Sequence, residues 1–375
     1  MKCLDTDLKF AIVGSWGFPS SYGGFETLVR RLAPYLANRG HEVLVYGRTD
    51  FAPTSDEIPI GVSVKTTFGI DMKSASTLTY GYTAVRDIGH QKIDAALVLN
   101  VANGFFLPKL KRLNIPTCVN VDGIEWQRGK WGKVAQSVFL RGAKITASTA
   151  DSLIFDSEEI AAIWRCEFGR TGNFIPYGAD ILTDVGTDKL LEIGIEPQKY
   201  LLVVARIIPE NNVELLLDAI EQLSFNPLTV IVGDGNYKNP TLQKLRALHA
   251  SGKILWLGHV RDQELLKQLW ANSLLYWHGH SVGGTNPALL QALGAGSPVL
   301  ALDTKFNREV IRDDRQLIDG DPSLLAAAIS QFLSDESLRK EVAVEGKETV
   351  RERYGWAAVC EAYLSVLESL VSVGQ

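Results

Sequence analysis

The 375-residue sequence lacks the parts of a disulfide framework or a zinc site. Its four cysteines (Cys3, Cys118, Cys166 and Cys360) are scattered with no CxxC pair, a pattern of reduced thiols. No run nears the roughly 18–20 apolar residues of a membrane span. Acids at Asp5 and Asp7 stand where a signal peptide would carry its apolar stretch, so the expected location is cytoplasmic. A basic excess is also missing. The 38 Lys plus Arg face 43 Asp plus Glu, a net charge of -5, which disfavours a dedicated nucleic-acid binder. Short-period repeats, low-complexity tracts and the spaced GxGxxG of dinucleotide binders are absent too, so hydride chemistry is disfavoured. What is present is an ordinary soluble balance, 46% hydrophobic and 22% charged, which excludes a disordered chain. The length corresponds to about two domains of roughly 100–200 residues.

Short apolar runs alternate with amphipathic stretches. Phe10–Val13 and His41–Tyr46 read as strands around a helix that buries Phe25, Leu28, Val29, Leu32, Ala33 and Leu36 and stops at Gly40. Further strands are expected at 94–99, 117–121, 144–147 and 173–176, with helices over 75–89 and 151–166. The pattern restarts after Pro176-Tyr177-Gly178. Strands are expected at 200–205, 228–232, 253–257, 274–277 and 298–301, with helices near 213–223, 238–250, 262–272, 286–294 and 321–352. Such strand–helix alternation implies an α/β chain of two doubly wound, Rossmann-like domains with a cleft between them. The expected boundaries are 1–178 and 179–355, and a last helix over 356–375 packs back on the first domain. The charge divides with them: residues 1–178 carry 20 basic and 17 acidic groups, residues 179–375 carry 18 and 26, and 105–145 carry eight and two.

Four clusters fall where strands end, the ligand edge of such sheets. The first runs from Gly14 through Gly17, Tyr22, Gly23 and Gly24 into a helix. Its glycines let backbone approach a ligand, and free N–H groups at the helix start favour an anion such as a diphosphate. Glu26 in the first helical turn is either a catalytic or acceptor-binding carboxylate or a partner of the helix dipole. The second is Asn120 to Trp131. Asp122 is placed to orient hydroxyls or take a proton, while Glu125 fits that role or a helix cap. Bases and large apolar groups from Phe105 to Lys144 suit either a surface that meets anionic lipid or an ordinary basic helix. The third, Arg206 to Asn212, offers Arg206 as a diphosphate clamp. The fourth is His278 to Gln291. Asn286 suits an N-cap and Pro287 the first helical position, leaving the N–H groups of Gly283, Gly284 and Thr285 as an anion cradle. His278 and His280 lack a third metal ligand in view and read as loop histidines. Asp319-Gly320-Asp321 reads as a turn and cap.

Taken together, the segments YGGFET (Tyr22–Thr27), VNVDGIEWQRGKW (Val119–Trp131), RIIPENN (Arg206–Asn212) and HGHSVGGTNP (His278–Pro287) resemble retaining glycosyltransferases of family 4. Within that family the likeness is strongest to bacterial rhamnosyltransferases of polysaccharide assembly, and it covers nearly the whole chain. The resemblance implies the GT-B architecture, two doubly wound domains facing each other across a cleft. It implies retaining transfer from a nucleoside diphosphate sugar, here dTDP-L-rhamnose, with no cofactor and no obligatory metal. The acceptor would be a saccharide on undecaprenyl diphosphate at the inner face of the plasma membrane, where the protein would sit peripherally.

By the same resemblance Arg206 binds the donor diphosphate, the Gly17–Gly24 loop lies between donor and acceptor, and the Gly283–Asn286 turn faces the donor. Together with the cluster readings above, the expected catalytic residues are Arg206, Asp122 and Glu26. Gly17, Arg206, Asn211, Gly283, Gly284, Thr285, Asn286 and Gln291 line the donor, and Tyr22, Gly23, Gly24, Asp122, Glu125 and Trp126 the acceptor. Two departures stand out. The family's diphosphate lysine falls at Asn211, and its pair of glutamates eight positions apart falls at Gly283 and Gln291. The second glutamate normally grips both ribose hydroxyls, so Gln291 fits a dTDP donor, which offers one. A nucleotide-sugar epimerase of the same fold and a non-catalytic nucleotide-sugar-binding scaffold remain alternatives.

Overall fold

The computed structural model describes residues 7–19, 23–48, 58–70, 76–128, 131–225, 227–235 and 240–373. The chain divides into two compact units, one formed by residues 1–177 with 356–375 and the other by residues 178–355.

The first unit is built on a seven-stranded sheet. In chain order its strands are β1 (Lys9–Val13), β2 (Glu42–Arg48), β3 (Val62–Thr67), β4 (Ala95–Leu99), β5 (Thr117–Asn120), β6 (Ser152–Phe155) and β7 (Asn173–Phe174). Their order across the sheet is β3-β2-β1-β4-β5-β6-β7, and every pairing is parallel. The inner strands are continuous apolar runs because both faces are covered: all five residues of β4 are buried. The helix Gly24–Asn38 buries Leu28, Val29, Leu32, Ala33 and Leu36 at helical spacing. Each fully buried Leu or Ile of this kind contributes roughly 1.5–3 kcal/mol.

Two sequence expectations are corrected in this unit. Residues 144–147 are not a strand but part of the helix Lys133–Thr149, whose Gly142, Ala143 and Thr146 are buried along one face. The strand lies one step later, at β6, where Leu153, Ile154 and Phe155 form a buried run inside the stretch 151–166 expected as helix. That helix spans Glu158–Phe168, with Ser157 accepting the Glu159 N–H as its cap. The edge strand β3 escaped notice because its alternate residues are polar and partly exposed.

The C-terminal helix Trp356–Val373 packs on the helix Gly24–Asn38 and over β4 and β5. Arg39 pairs with Glu361 at 2.7 Å on its rim. Inside, Val359, Cys360, Tyr363, Leu364 and Leu367 are buried.

The second unit holds six parallel strands: β8 (Tyr200–Val204), β9 (Leu228–Val232), β10 (Ile254–Gly258), β11 (Leu275–His278), β12 (Val299–Leu302) and β13 (Leu317–Ile318). Their order is β10-β9-β8-β11-β12-β13. One core cluster gathers Leu216, Leu217, Leu245, Leu275, Leu300, Ile329 and Phe332. The stretch expected as one helix over 321–352 is two, Pro322–Ser334 and Glu336–Arg353, because Asp335 ends the first and caps the second. The segments that enter and leave this unit are joined: Ala179 bridges Gly355, and its N–H donates to the Tyr354 carbonyl at 2.8 Å.

Candidate functional site

In each sheet the strand order reverses at one place, between β1 and β4 in the first unit and between β8 and β11 in the second. Loops that leave the carboxyl ends of strands at such a switch point are where open α/β sheets take ligands. Three of the four sequence clusters follow strands that flank these points (β1, β8 and β11), and the second follows β5, on the far side of β4.

In the first unit, Gly14 has φ +107, and a Cβ there would collide with the Leu99 carbonyl at the end of β4. A Cβ on Gly47 would stand 2.9 Å from the Gly17 Cα, so β2 also presses on the loop. Gly23 has φ +122, and a Cβ there would lie 2.5 Å from Glu26 Oε2. The reason is that Glu26 turns back under the loop and accepts the Trp16 N–H at 3.0 Å. The glycines thus make room for a buried carboxylate as well as for a close approach. Burial raises the pKa of Glu26, the Trp16 and Glu26 N–H groups and Arg48 oppose the rise, and Asp122 adds to it. Tyr22 lies outside the described residues.

Asp122 follows β5 with φ +62, in the left-handed region that few residues other than glycine adopt. Its N–H donates to Asn120 Oδ1 at 3.0 Å, and its Oδ2 accepts Asn100 Nδ2 at 2.9 Å. Asn100, at the end of β4, is itself at φ +72 and accepts the Ala102 N–H at 2.9 Å. Asp122 and Glu26 stand on the loops that follow β5 and β1, on either side of β4, and the Asp122 charge adds to the raised pKa of Glu26.

Glu125 and Trp126, expected at the acceptor, turn inward instead. Glu125 is 3% exposed, pairs with Arg128 at 2.9 Å and accepts the Trp131 indole N–H at 2.5 Å. Trp126 packs edge-on against Trp164 and Phe168, with ring centroids 6.2 and 5.7 Å away. Their partners make them supports of the loop that carries Asp122.

Five cations of the stretch 105–145 face outward. Lys111, Arg112, Lys133, Arg141 and Lys144 are exposed, and none forms a salt bridge among the described residues. The two acids of the stretch are engaged as just described. Val134 and Leu113 stand exposed among these bases.

In the second unit, Arg206 follows β8 and is exposed, and its guanidinium has no hydrogen-bond or ion-pair partner among the described residues. Its backbone is fixed: the Arg206 carbonyl accepts Asn211 Nδ2 at 2.7 Å. The loop after β8 is laced to the loop after β11. Asn211 Oδ1 meets His280 Nδ1 at 2.7 Å, Asn212 Nδ2 donates to the Gly279 carbonyl at 2.8 Å, and Ser281 N–H donates to the Glu210 carbonyl at 2.9 Å. Asn211, 7% exposed, is thus a brace between loops, with both amide ends occupied.

Gly283 has φ +125, and the N–H groups of Gly283 and Gly284 make no hydrogen bond among the described residues. Asn286 caps the helix Pro287–Ala295 by accepting the Ala288 N–H at 2.9 Å. Thr285 is buried, and the side chain of Gln291, half-buried on that helix, has no hydrogen bond among the described residues. His278 is buried with its Nε2 unpaired, and burial pushes its pKa down to about 3, so the ring is neutral. Among the described residues no three His, Cys, Asp or Glu side chains form a metal cluster. Asp321 caps a helix by accepting the Ser323 and Leu324 N–H groups at 2.8 and 3.0 Å.

Sequence reasoning found the loops but missed their braces. Asn100, His280 and Tyr363 (whose hydroxyl accepts Asn120 Nδ2 at 2.6 Å) act on residues 22, 69 and 243 positions away, and no spacing rule reaches that far.

Residues 192–349 match the family model described as Glycosyl transferases group 1, and residues 8–180 match the Domain of unknown function DUF1972. The phosphatidyl-myo-inositol mannosyltransferase of Mycobacterium leprae is 31% identical over 177 residues, 44% of this chain and 45% of that protein. The N-acetylgalactosamine-N,N'-diacetylbacillosaminyl-diphospho-undecaprenol 4-alpha-N-acetylgalactosaminyltransferase of Campylobacter jejuni is 28% identical over 171 residues, 44% and 46% of the two chains. The matches span about half the length of these curated relatives. Among solved structures, a sucrose-phosphate synthase from Thermosynechococcus elongatus superposes with TM-score 0.82 at 18% identity, covering 98% of this chain and 100% of that one. Anabaena HepE in complex with UDP superposes with TM-score 0.74 at 18% identity, covering 96% and 100%. The fold is that of GT-B glycosyltransferases, and the stretch similar to group 1 glycosyl transferases lies within the second unit.

Proposed function

We propose that this chain is a retaining glycosyltransferase that moves L-rhamnose from dTDP-L-rhamnose to a saccharide on undecaprenyl diphosphate, in the synthesis of a cell-surface polysaccharide. The observation that carries the reading is that, among the described residues, the Gly283 and Gly284 N–H groups and the Arg206 guanidinium make no hydrogen bond or ion pair, on two loops tied together through Asn211 and His280. Both loops stand at the switch point of the second unit, within the stretch similar to group 1 glycosyl transferases. Two fixed N–H donors and a guanidinium complement a diphosphate, whose leaving charge must be stabilised. Relatives that act on a diphospho-undecaprenol sugar or take part in lipopolysaccharide core synthesis support a lipid-linked acceptor.

In this reading the second unit handles the donor. Arg206 and the Gly283–Asn286 turn hold the diphosphate while the anomeric carbon–oxygen bond breaks. The incoming hydroxyl bonds to that carbon on the same face and gives its proton to the departing diphosphate, so no protein nucleophile is required. The first unit aligns the acceptor through Asp122 and the Gly23–Glu26 turn, and alignment of this kind supplies a large share of catalysis. Glu125 and Trp126 support that loop from behind. The outward cations of 105–145 with Val134 and Leu113 suit the anionic inner leaflet, a charge-driven association that salt weakens.

One incubation tests the reading. dTDP-L-rhamnose is given to the protein with and without a lipid-diphosphate-linked saccharide. Release of dTDP that depends on the acceptor supports transfer. Sugar conversion without acceptor would make the chain an epimerase, and binding without turnover a scaffold.

A further inference from the structure

We infer that Tyr363 is a positioning residue for Asp122, so that the C-terminal helix belongs to the acceptor-side apparatus. The inference rests on the role proposed above for Asp122, and it extends that role to a helix outside both family matches, which end at residues 180 and 349.

The argument follows a line of hydrogen bonds. Asn120 Nδ2 donates to the Tyr363 hydroxyl at 2.6 Å, leaving Asn120 Oδ1 to accept the Asp122 N–H at 3.0 Å. Asn100 Nδ2 then holds Asp122 Oδ2 at 2.9 Å. Asp122 is thereby gripped at its backbone and its carboxylate, which is what a non-glycine residue at φ +62 needs to persist. Asn120 and Tyr363 are each about 1% exposed, so water does not compete for these contacts. An amide can turn either end toward a neighbour. Here the phenol oxygen takes the N–H end, and the carbonyl end faces Asp122. Burial keeps the phenol protonated and neutral, so the anchor does not change across physiological pH. Without the phenol oxygen a buried amide N–H loses its partner. Asn120 then turns to find another, and the Asp122 N–H is released.

Tyr363→Phe and Leu367→Ala in the full chain separate positioning from packing, because Leu367 is fully buried on the same helix. With dTDP-L-rhamnose and the lipid-linked saccharide, Tyr363→Phe should lower kcat about tenfold, near 1.4 kcal/mol, and leave the donor KM unchanged. Leu367→Ala should lower the thermal midpoint and keep kcat. A crystal structure of Tyr363→Phe should show Asn120 rotated and Asp122 moved from φ +62. Asn120→Ala cuts the same line one link further on and decides the matter if Tyr363→Phe does not fold. An unmoved Asp122, or equal kcat loss in the Tyr363 and Leu367 variants, overturns the inference. If the wild type transfers nothing, the proposed function fails by itself, and the crystal structure still decides whether Tyr363 positions Asp122.

Discussion

His280 Nδ1 lies 2.7 Å from Asn211 Oδ1, and because Asn211 gives its amide to the Arg206 carbonyl at 2.7 Å, the histidine must be the donor. This pair locks the two loops of the second unit where the resemblance expects a lysine. Restoring that lysine with Asn211→Lys should therefore harm the protein. A lysine has no acceptor for His280, and leaving buried polar groups unpaired costs about 1–3 kcal/mol. Calorimetry should show a lower thermal midpoint with no gain in dTDP affinity. An unchanged midpoint together with tighter dTDP binding would remove the brace from the account.

Arg206 presents the opposite case. Its exposed guanidinium makes no described contact, so its removal should spare the fold. Arg206→Ala is expected to cut turnover by about 100-fold or more, the scale of losing a charge stabiliser, with the thermal midpoint essentially unmoved. Near-normal turnover would take Arg206 out of the donor site.

Glu26 gives a pH dependence of definite sign. Its pKa in the folded state is raised by burial, so the folded chain holds that proton more tightly than the unfolded one. Stability from this group is complete below the ordinary carboxyl range and declines as pH rises through the raised value. Glu26→Gln keeps an oxygen for the Trp16 N–H and removes the buried charge. The variant should melt above the wild type at neutral pH, with the gap closing in acid. A gap that widens as pH falls would contradict the buried-carboxylate picture.

His278 has the reverse slope. Its pKa is depressed to about 3 by burial, below the 6.5 of an unfolded histidine. The stability this contributes is present above pH 6.5 and lost as pH falls toward 3. At about 1.4 kcal/mol per pH unit, the loss reaches roughly 3 kcal/mol by pH 4. NMR should show a His278 ring that does not titrate between pH 5 and 8, and His278→Phe should flatten the acid limb of the melting curve. A ring titrating near 6.5 would refute the assignment.

Gln291 offers a test of the dTDP donor proposed above. Its side-chain amide makes no hydrogen bond among the described residues, which leaves it available to a single ribose hydroxyl. Gln291→Glu should shift the ratio of UDP to dTDP affinity severalfold toward UDP, read by titration of each nucleotide. An unchanged ratio sinks the link between this residue and a deoxyribose donor.

The α/β alternation was readable because inner parallel strands are unbroken apolar runs, as in β1 and β4. It failed where composition was ambiguous. Lys144–Ala147 looks extended in isolation, and only the burial of Gly142, Ala143 and Thr146 along one helical face reveals a helix. The ligand-edge loops were legible from glycines at strand ends, whose need for positive φ is local. The inward turn of Glu125 and Trp126 was not, since it depends on Arg128, Trp164 and Phe168 meeting them in three dimensions. Asn211 and His280 likewise carry no mark in the sequence that each exists for the other.

The return of Trp356–Val373 to the first unit has a consequence for how the protein is made. On the ribosome, residues 1–177 emerge well before the helix that covers β4 and β5. Until it arrives, the surface destined for Tyr363, Leu364 and Leu367 is open to solvent and to other nascent chains. The inserted unit, with Ala179 and Gly355 already bridged, can close on itself first. The part translated first is therefore the last to be finished, and a fragment cut after Tyr177 would carry an uncovered apolar face.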